Sequence, residues 1–268
     1  MCRLAAIVHF GNQRISSQEV EQFLKNMKNG GVDATGMIFV QKDKYSYSKF
    51  PGTIERISDF HQKTEGLIQN SEAIILHTRQ ATHGNPANNN NNHPILGQKY
   101  LLVHNGVLSL DEKFPACGTT DTEQLLRSME QYGIKRGMEK ARGSCSIIFI
   151  NKKSRDIFFY TNNGSIVAGW DKTRKIFFLA STEEIILNSV NRPLFHCLFN
   201  GIEIAGIKKN VLYRIQILGG KRYIQKCLNI KVPGHIITPF NSYRKETNNG
   251  LDWASKYYES SCSQILGH

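Results

Sequence analysis

The sequence predicts an α+β fold in which two packed β-sheets carry helices on their outer faces. The first half of the 268-residue chain alternates short apolar runs with stretches of helical spacing. The second half is mostly β, and its apolar runs 146–150 and 176–179 are continuous rather than alternating. Continuous apolar strands are typical of sheets that are covered on both faces. The length suits one large domain over residues 1–230, followed by a polar tail over residues 231–268.

The individual elements follow from apolar periodicity and from the residues that interrupt it. Short apolar runs bounded by glycine, proline or polar residues predict strands, whereas apolar residues three and four apart predict helices. The first helix has the clearest start, because Ser16 and Glu19 have the spacing of a capping box. Strands are expected at 4–10, 36–41, 45–50, 73–78, 100–104, 145–150, 156–161, 165–168, 175–180, 211–218 and 223–230, and helices at 18–28, 54–68, 121–130, 135–140, 183–188 and 251–266.

One low-complexity tract, Asn88–Asn92, interrupts this pattern in the loop after the fourth expected strand. Five consecutive asparagines offer no apolar side chain for a core. We therefore expect the tract to be a mobile loop.

Composition excludes several classes of protein. No run approaches the roughly 18 apolar residues of a membrane span, and the first residues lack the layout of a signal peptide. We therefore expect a cytoplasmic location. The six cysteines are scattered without a C-x-x-C pair, so neither a disulfide framework nor a zinc site is indicated. Four histidines near the polar loops also match no common zinc spacing: His77, His83, His93 and His104. We therefore expect no metal and no cofactor.

The net charge of +12 suggests a polyanion partner. The basic residues are spread along the chain, however, and they form no continuous block of five or six. A basic surface that binds polyanions loosely is the simpler interpretation, and specific nucleic-acid binding remains open as an alternative.

The chain opens Met1-Cys2-Arg3-Leu4, and the small side chain at position 2 allows Met1 to be removed. Cys2 would then carry a thiol and a free α-amino group, whose ordinary pKa is about 8. Such an amine can act as the base for its own thiol, as in N-terminal nucleophile catalysts. The apolar run 4–8 predicts a buried strand that fixes this end against a sheet. The alternative is a second-position cysteine without a chemical role.

Polar residues cluster at the ends of the expected strands 73–78 and 100–104 and at the start of the expected helix 121–130. Such clustering is typical of a functional site. Arg79 offers a planar fork for a carboxylate, and Asp121 at a helix start suits an ammonium group. Asn105 and Gly106 offer a side-chain amide and a backbone N–H to an oxyanion. Each has a structural alternative: a surface ion pair for Arg79, a helix N-cap for Asp121, and a hairpin turn for Asn105-Gly106. His77 and His104, at strand ends, are interpreted as structural histidines.

Five motifs in the same order resemble those of the class II glutamine amidotransferases, which are N-terminal nucleophile hydrolases. They are the opening four residues, the loop 77–84, the Asn-x-His-Pro of 91–94, His104-Asn105-Gly106, and the Thr-Asp-Thr-Glu of 120–123. Residues 31–36 are also similar to the family's Gly-x-Asp-Ser-Ala-Gly, with Ala34 in place of serine and Gly30 where an arginine is common. The resemblance covers about residues 2–230. It implies an αββα sandwich of two mostly antiparallel sheets between helices.

The resemblance also implies roles for individual residues. Cys2 would attack the side-chain amide of L-glutamine through a glutamyl thioester, with Asn105 and Gly106 as the oxyanion hole. Arg79 would hold the substrate carboxylate and Asp121 its ammonium group. The remaining substrate-binding residues would come from the loop 79–92: Gln80, Thr82 and His83. Gln80 stands where the synthases usually have a tryptophan.

The short segment after residue 230 leaves no room for a synthase domain in this sequence. We therefore expect the ammonia to be used by a separate enzyme or subunit, or the substrate to be hydrolysed outright. Two other hypotheses stay open: hydrolysis of small γ-glutamyl amides, and a non-catalytic basic module that binds a partner or nucleic acid. The sequence Thr82-His83-Gly84 favours glutamine over other γ-glutamyl substrates.

Overall fold

Two antiparallel sheets form the centre of the molecule. The computed structural model describes residues 2–190, 201–217 and 222–233. Within these ranges there is one sheet of seven strands and one of six, and every strand pairing in them is antiparallel. The expected helix at 251–266 and most of the polar tail lie outside these ranges.

The strands and helices are numbered in chain order. The strands are β1 (Arg3–His9), β2 (Ala34–Gln41), β3 (Tyr45–Pro51), β4 (Ser71–Arg79), β5 (Ile95–Leu96), β6 (Tyr100–Leu110), β7 (Ala141–Asn151), β8 (Ile157–Thr161), β9 (Val167–Asp171), β10 (Ile176–Ala180), β11 (Glu203–Gly206), β12 (Val211–Ile215) and β13 (Ile224–Asn229). The helices are α1 (Ser17–Met27), α2 (Phe60–Gln69), α3 (Asp121–Tyr132), α4 (Ile134–Glu139) and α5 (Glu183–Ser189).

The layers stack as helices, sheet, sheet, helices. The first sheet has the order β11-β9-β10-β1-β4-β2-β3 and the second the order β13-β12-β8-β7-β6-β5. One apolar cluster lies between the sheets. A second joins the outer face of the first sheet to α1, α2 and α5, and a third joins the second sheet to α3 and α4. This αββα arrangement confirms the predicted fold class, and it explains the continuous apolar strands, since both faces of each sheet are covered.

The structure confirms the predicted capping box and corrects two expected elements. The Ser16 side chain accepts from the Glu19 N–H, and the Glu19 side chain accepts from the Ser16 N–H. The single helix expected at 54–68 is wrong. A 3₁₀ turn at Ile54–Arg56 gives way to extended backbone, and α2 begins only after Asp59, whose φ is 59°. The strand expected at 100–104 was too short, because β6 continues beside β7 as far as Leu110.

The asparagine tract is partly packed against the protein, since its first three residues are exposed and its last two are not, and its expected mobility stays a prediction. Asn89–Asn91 forms a 3₁₀ turn that Asn88 caps. Asn91 and Asn92 are buried, and both amide groups are hydrogen-bonded. Amide side chains can pack here because carbonyl groups of the same loop, the Arg79 guanidinium and the Thr119 N–H complete their hydrogen bonds.

Close backbone packing at Gly36 yields a stability prediction. A Cβ at this position on β2 would overlap the His93 carbonyl oxygen. We expect Gly36→Ala to lower the free energy of unfolding by about 1–3 kcal/mol or more, as overpacking does, measured by urea denaturation. Gly66→Ala is the matched control, because nothing lies within 4 Å of a Cβ at that helical position. The control should stabilise by up to about 1 kcal/mol, and equal effects of the two substitutions would contradict the packing argument.

Across the described part of the chain, no helix is both long enough and apolar enough to cross a membrane. The cytoplasmic location stays a prediction.

Candidate active site

Cys2 lies at the start of the central strand of the first sheet. It directly precedes β1, which pairs with β10 on one side and β4 on the other. The Sγ atom is half-buried and lies 3.4 Å from both the backbone nitrogen and the carbonyl oxygen of Gln80. The residue at the usual tryptophan position thus contacts the thiol through its backbone.

A single pocket contains Cys2 and most of the predicted site residues. Seven of the eight line it, and Asn105 does not. Four further residues line it as well: His93, His104, Thr120 and Thr122. Residues that are far apart in sequence therefore meet at one end of the two sheets.

Asn105 and Gly106 lie within β6, so the interpretation as a hairpin turn is wrong. Gly106 has a φ of 148°, and a Cβ there would overlap the Ser144 carbonyl oxygen. Only glycine fits this position. Asn105 is buried, and its Oδ1 has no hydrogen-bond partner within the described residues. A buried amide oxygen without a partner is rare in folded proteins.

Arg79 ends β4, and its guanidinium is bonded to the loop that follows. Nη1 donates to Asn92 Oδ1 at 2.9 Å. Nη2 donates to the carbonyl oxygen of Gly84 at 3.0 Å and to that of His83. The side chain is buried, so the alternative of a surface ion pair is wrong. Burial lowers the pKa of Arg79 from its ordinary value, while the nearby thiol and carboxylates act in the opposite direction.

Asp121 is the first residue of α3, and its carboxylate faces the pocket from there. The N-cap of this helix is Thr120, whose hydroxyl accepts from the Glu123 N–H at 3.3 Å, so the interpretation of Asp121 as the cap is wrong. Asp121 Oδ2 accepts from the Leu108 N–H at 2.9 Å, and Oδ1 accepts from the Thr122 N–H at 2.8 Å. These bonds fix the orientation of the carboxylate and leave other lone pairs for a ligand.

The thiol is held in its protonated form. Burial raises the pKa of Cys2 above its ordinary value, and the Gln80 N–H and the Arg79 charge oppose this only in part. A protonated thiol is a weak nucleophile, so attack requires a base.

Besides His83, which was predicted, two further histidines line the pocket that the sequence did not indicate as site residues, His93 and His104. His104 was interpreted as a satisfied structural residue, yet its Nε2 and the Nδ1 of His93 are buried without hydrogen-bond partners in the described structure. His93 packs on His77 with 4.1 Å between ring centroids. The signal was present, because both residues belong to the motifs that carry the family resemblance. Within the same ranges, no group of three or more His, Cys, Asp or Glu residues is arranged to hold a metal ion.

Solved structures share this fold. Glutamine phosphoribosylpyrophosphate amidotransferase from B. subtilis superposes with a TM-score of 0.61 at 15% identity, over 85% of this chain and 50% of that one. A second structure, of the allosteric regulatory enzyme of purine biosynthesis, has the same score at 16% identity. At these identities the likeness is one of fold, and it agrees with the αββα arrangement of the two sheets.

Several curated proteins are similar to this chain in sequence. Glutamine–fructose-6-phosphate aminotransferase from Campylobacter jejuni is 26% identical over an alignment of 201 positions, which covers 68% of this chain and 33% of the relative. The Helicobacter pylori enzyme of the same name is 27% identical over 63% of this chain and 31% of the relative. No protein-family model matches. The chain is therefore similar in sequence to one part of these aminotransferases, and it spans about a third of the length of these curated relatives.

Proposed function

We propose that the chain, once Met1 is removed, hydrolyses the side-chain amide of glutamine with Cys2 as the nucleophile. The products are glutamate and ammonia. The observation that carries this proposal is that Cys2, Arg79, Gly106 and Asp121 line one pocket.

The charges of the pocket suit a free α-amino acid. A guanidinium and a carboxylate both line the pocket, and both are close enough to influence the Cys2 thiol. Arg79 is assigned to the substrate carboxylate, with Thr82 and His83 beside it, and Asp121 to the ammonium group. With both ends of the amino acid held, the side-chain amide is directed toward the sulfur.

The reaction then follows from the protonation state of the thiol. The freed α-amino group of Cys2 takes the thiol proton as the sulfur attacks the amide carbon. The Gly106 N–H and the Asn105 side-chain amide stabilise the oxyanion. The C–N bond breaks, the amine returns the proton to the departing nitrogen, and ammonia leaves. Water then attacks the glutamyl thioester, which releases glutamate and restores the thiol.

The use of the ammonia is assigned to a site outside residues 1–230. The curated relatives are named as aminotransferases of fructose-6-phosphate, and this chain matches only about a third of their length. We propose that residues 1–230 form the glutaminase unit and that a separate enzyme or subunit accepts the ammonia.

Covalent labelling tests the proposed nucleophile directly. A glutamine analogue with an electrophilic diazoketone in place of the amide should add once to the processed chain, at Cys2, and excess glutamine should slow the addition. Intact mass reports both the adduct and the loss of Met1. Iodoacetamide labelling of the exposed Cys117 is the internal control, since glutamine should not slow it. Addition of the analogue at Cys117 instead of Cys2 would overturn the assignment.

A further inference from the structure

The Thr122 hydroxyl is the common partner of three side chains at the wall of the pocket. Its Oγ1 lies 3.3 Å from Asp121 Oδ1, 3.2 Å from His93 Nε2 and 3.0 Å from His104 Nδ1. All of these groups except Asp121 are buried. One hydroxyl therefore connects the carboxylate of the ammonium site with two imidazole rings.

Counting hydrogens assigns a direction to each bond. A hydroxyl has one hydrogen to donate and two lone pairs to accept with. An ionised Asp121 carboxylate can only accept, so the hydroxyl hydrogen points to it. Each imidazole nitrogen that faces Thr122 must then carry its own hydrogen, which makes His104 the Nδ1–H tautomer and His93 the Nε2–H tautomer.

The unpartnered nitrogens agree with this assignment. His93 Nδ1 and His104 Nε2 are buried without partners in the described structure, and they are the two atoms that the assignment leaves without a hydrogen. Burial lowers the pKa of both histidines from the ordinary value, so each ring is neutral and carries a single hydrogen.

The opposite tautomer of His104 would require a hydrogen bond at its Nε2. Both the Nε2 of His104 and the Ser144 carbonyl oxygen lie near the place that a Cβ on Gly106 would occupy, and Nε2 is 2.9 Å from that place. The Ser144 backbone favours a hydrogen on the His104 ring and acts to raise its pKa, but Nε2 has no partner that meets the distance and angle of a hydrogen bond in the described structure. Thr122 supplies the bond with good geometry, at 3.0 Å.

We propose that Thr122 is a positioning residue of the ammonium site: its hydroxyl orients the Asp121 carboxylate and fixes the tautomers of His93 and His104. The part of this inference that concerns glutamine rests on the proposed function. The part that concerns tautomers does not, so the two can fail separately.

Two other histidines serve as internal references for the tautomers. His9 has Nδ1 3.0 Å from the Ser71 carbonyl oxygen, and its Nε2 accepts from the Ile15 N–H at 3.2 Å. His77 has Nε2 3.0 Å from the His104 carbonyl oxygen. Backbone groups fix both rings, and Thr122 touches neither of them.

Nitrogen NMR of the histidine-labelled full chain tests the assignment without any variant. We expect neutral rings with the hydrogen on Nδ1 in His104 and on Nε2 in His93. In Thr122→Val these two signals should shift and that of His9 should stay, while His77, whose ring packs on His93, should keep its hydrogen on Nε2. Thr122→Ser should show the wild-type pattern. A hydrogen on Nε2 of His104 in the wild type would overturn the assignment.

Steady-state kinetics tests the positioning role. We expect Thr122→Val to raise the KM for glutamine about tenfold, the range for a hydrogen bond to a charged group, with kcat changed less than about threefold and Thr122→Ser near wild type. Thr64→Val is the matched control, because it removes a buried hydroxyl bonded only to the Phe60 carbonyl in α2. An unchanged KM in Thr122→Val would overturn the positioning role. Absence of turnover by wild type would count against the proposed function and leave the tautomer result standing.

Discussion

Cys2→Ala is expected to reduce the release of glutamate from glutamine to the background rate, a loss of at least about a thousandfold. The substitution removes the sulfur that forms the thioester and leaves Arg79 and Asp121 in place. Glutamine should still bind, so the effect is on kcat. A coupled glutamate dehydrogenase assay on the processed protein measures it, with intact mass to verify that Met1 is absent from both proteins.

The matched control for this loss is Cys117→Ala. Cys117 is exposed, lies on the loop before α3 and does not line the pocket, so its replacement should leave turnover unchanged. If wild type and Cys2→Ala are equally inactive, the enzymatic proposal fails. A salt-sensitive partner that binds both would then favour the non-catalytic basic module.

A chain that keeps a residue in front of Cys2 should also lack glutaminase activity. Its Cys2 nitrogen is part of a peptide bond and cannot take the thiol proton, whose loss burial already disfavours. General-base catalysis contributes about 10²–10⁴-fold, and we expect a loss of that size. The test uses an N-terminal tag whose proteolytic cleavage makes Cys2 the first residue.

This design compares one polypeptide before and after a single cleavage. Uncleaved protein should be inactive, and activity should rise in proportion to the cleaved mass. Three histidines, His83, His93 and His104, also line the pocket, and none of them depends on cleavage. Comparable turnover before cleavage would therefore exclude the α-amino group as the base and make a histidine the better candidate.

Much of the fold followed from the sequence, because local signals and tertiary packing agree there. The capping box of α1 is one example, since Ser16 and Glu19 satisfy each other without help from distant residues. The continuous apolar strands are another. The break at Asp59 and the length of β6 escaped prediction because they depend on contacts with other elements.

The pocket was predictable to a lesser degree. Arg79, Gly106 and Asp121 belong to recognisable motifs, and the structure brings them together with Cys2. The burial of Asn91 and Asn92 was not predictable from composition, because it depends on hydrogen bonds that form only in the folded chain: with Arg79 at the end of β4, Pro86 in the same loop and Thr119 before α3. Nor does the sequence reveal that Thr122 faces two histidines, since that contact exists only once β6 and α3 pack.

The contacts of Arg79 bear on how a substrate enters. Both hydrogens of Nη2 are taken by carbonyl oxygens of the loop itself, those of His83 and Gly84. Each pair of parallel N–H groups that a guanidinium offers to a carboxylate includes Nη2. The carboxylate of an incoming amino acid can therefore form a bidentate hydrogen bond with Arg79 only by displacing these carbonyls. If Arg79 holds the substrate carboxylate as proposed, recognition there is an exchange of partners, in which ligand and loop compete for the same nitrogen.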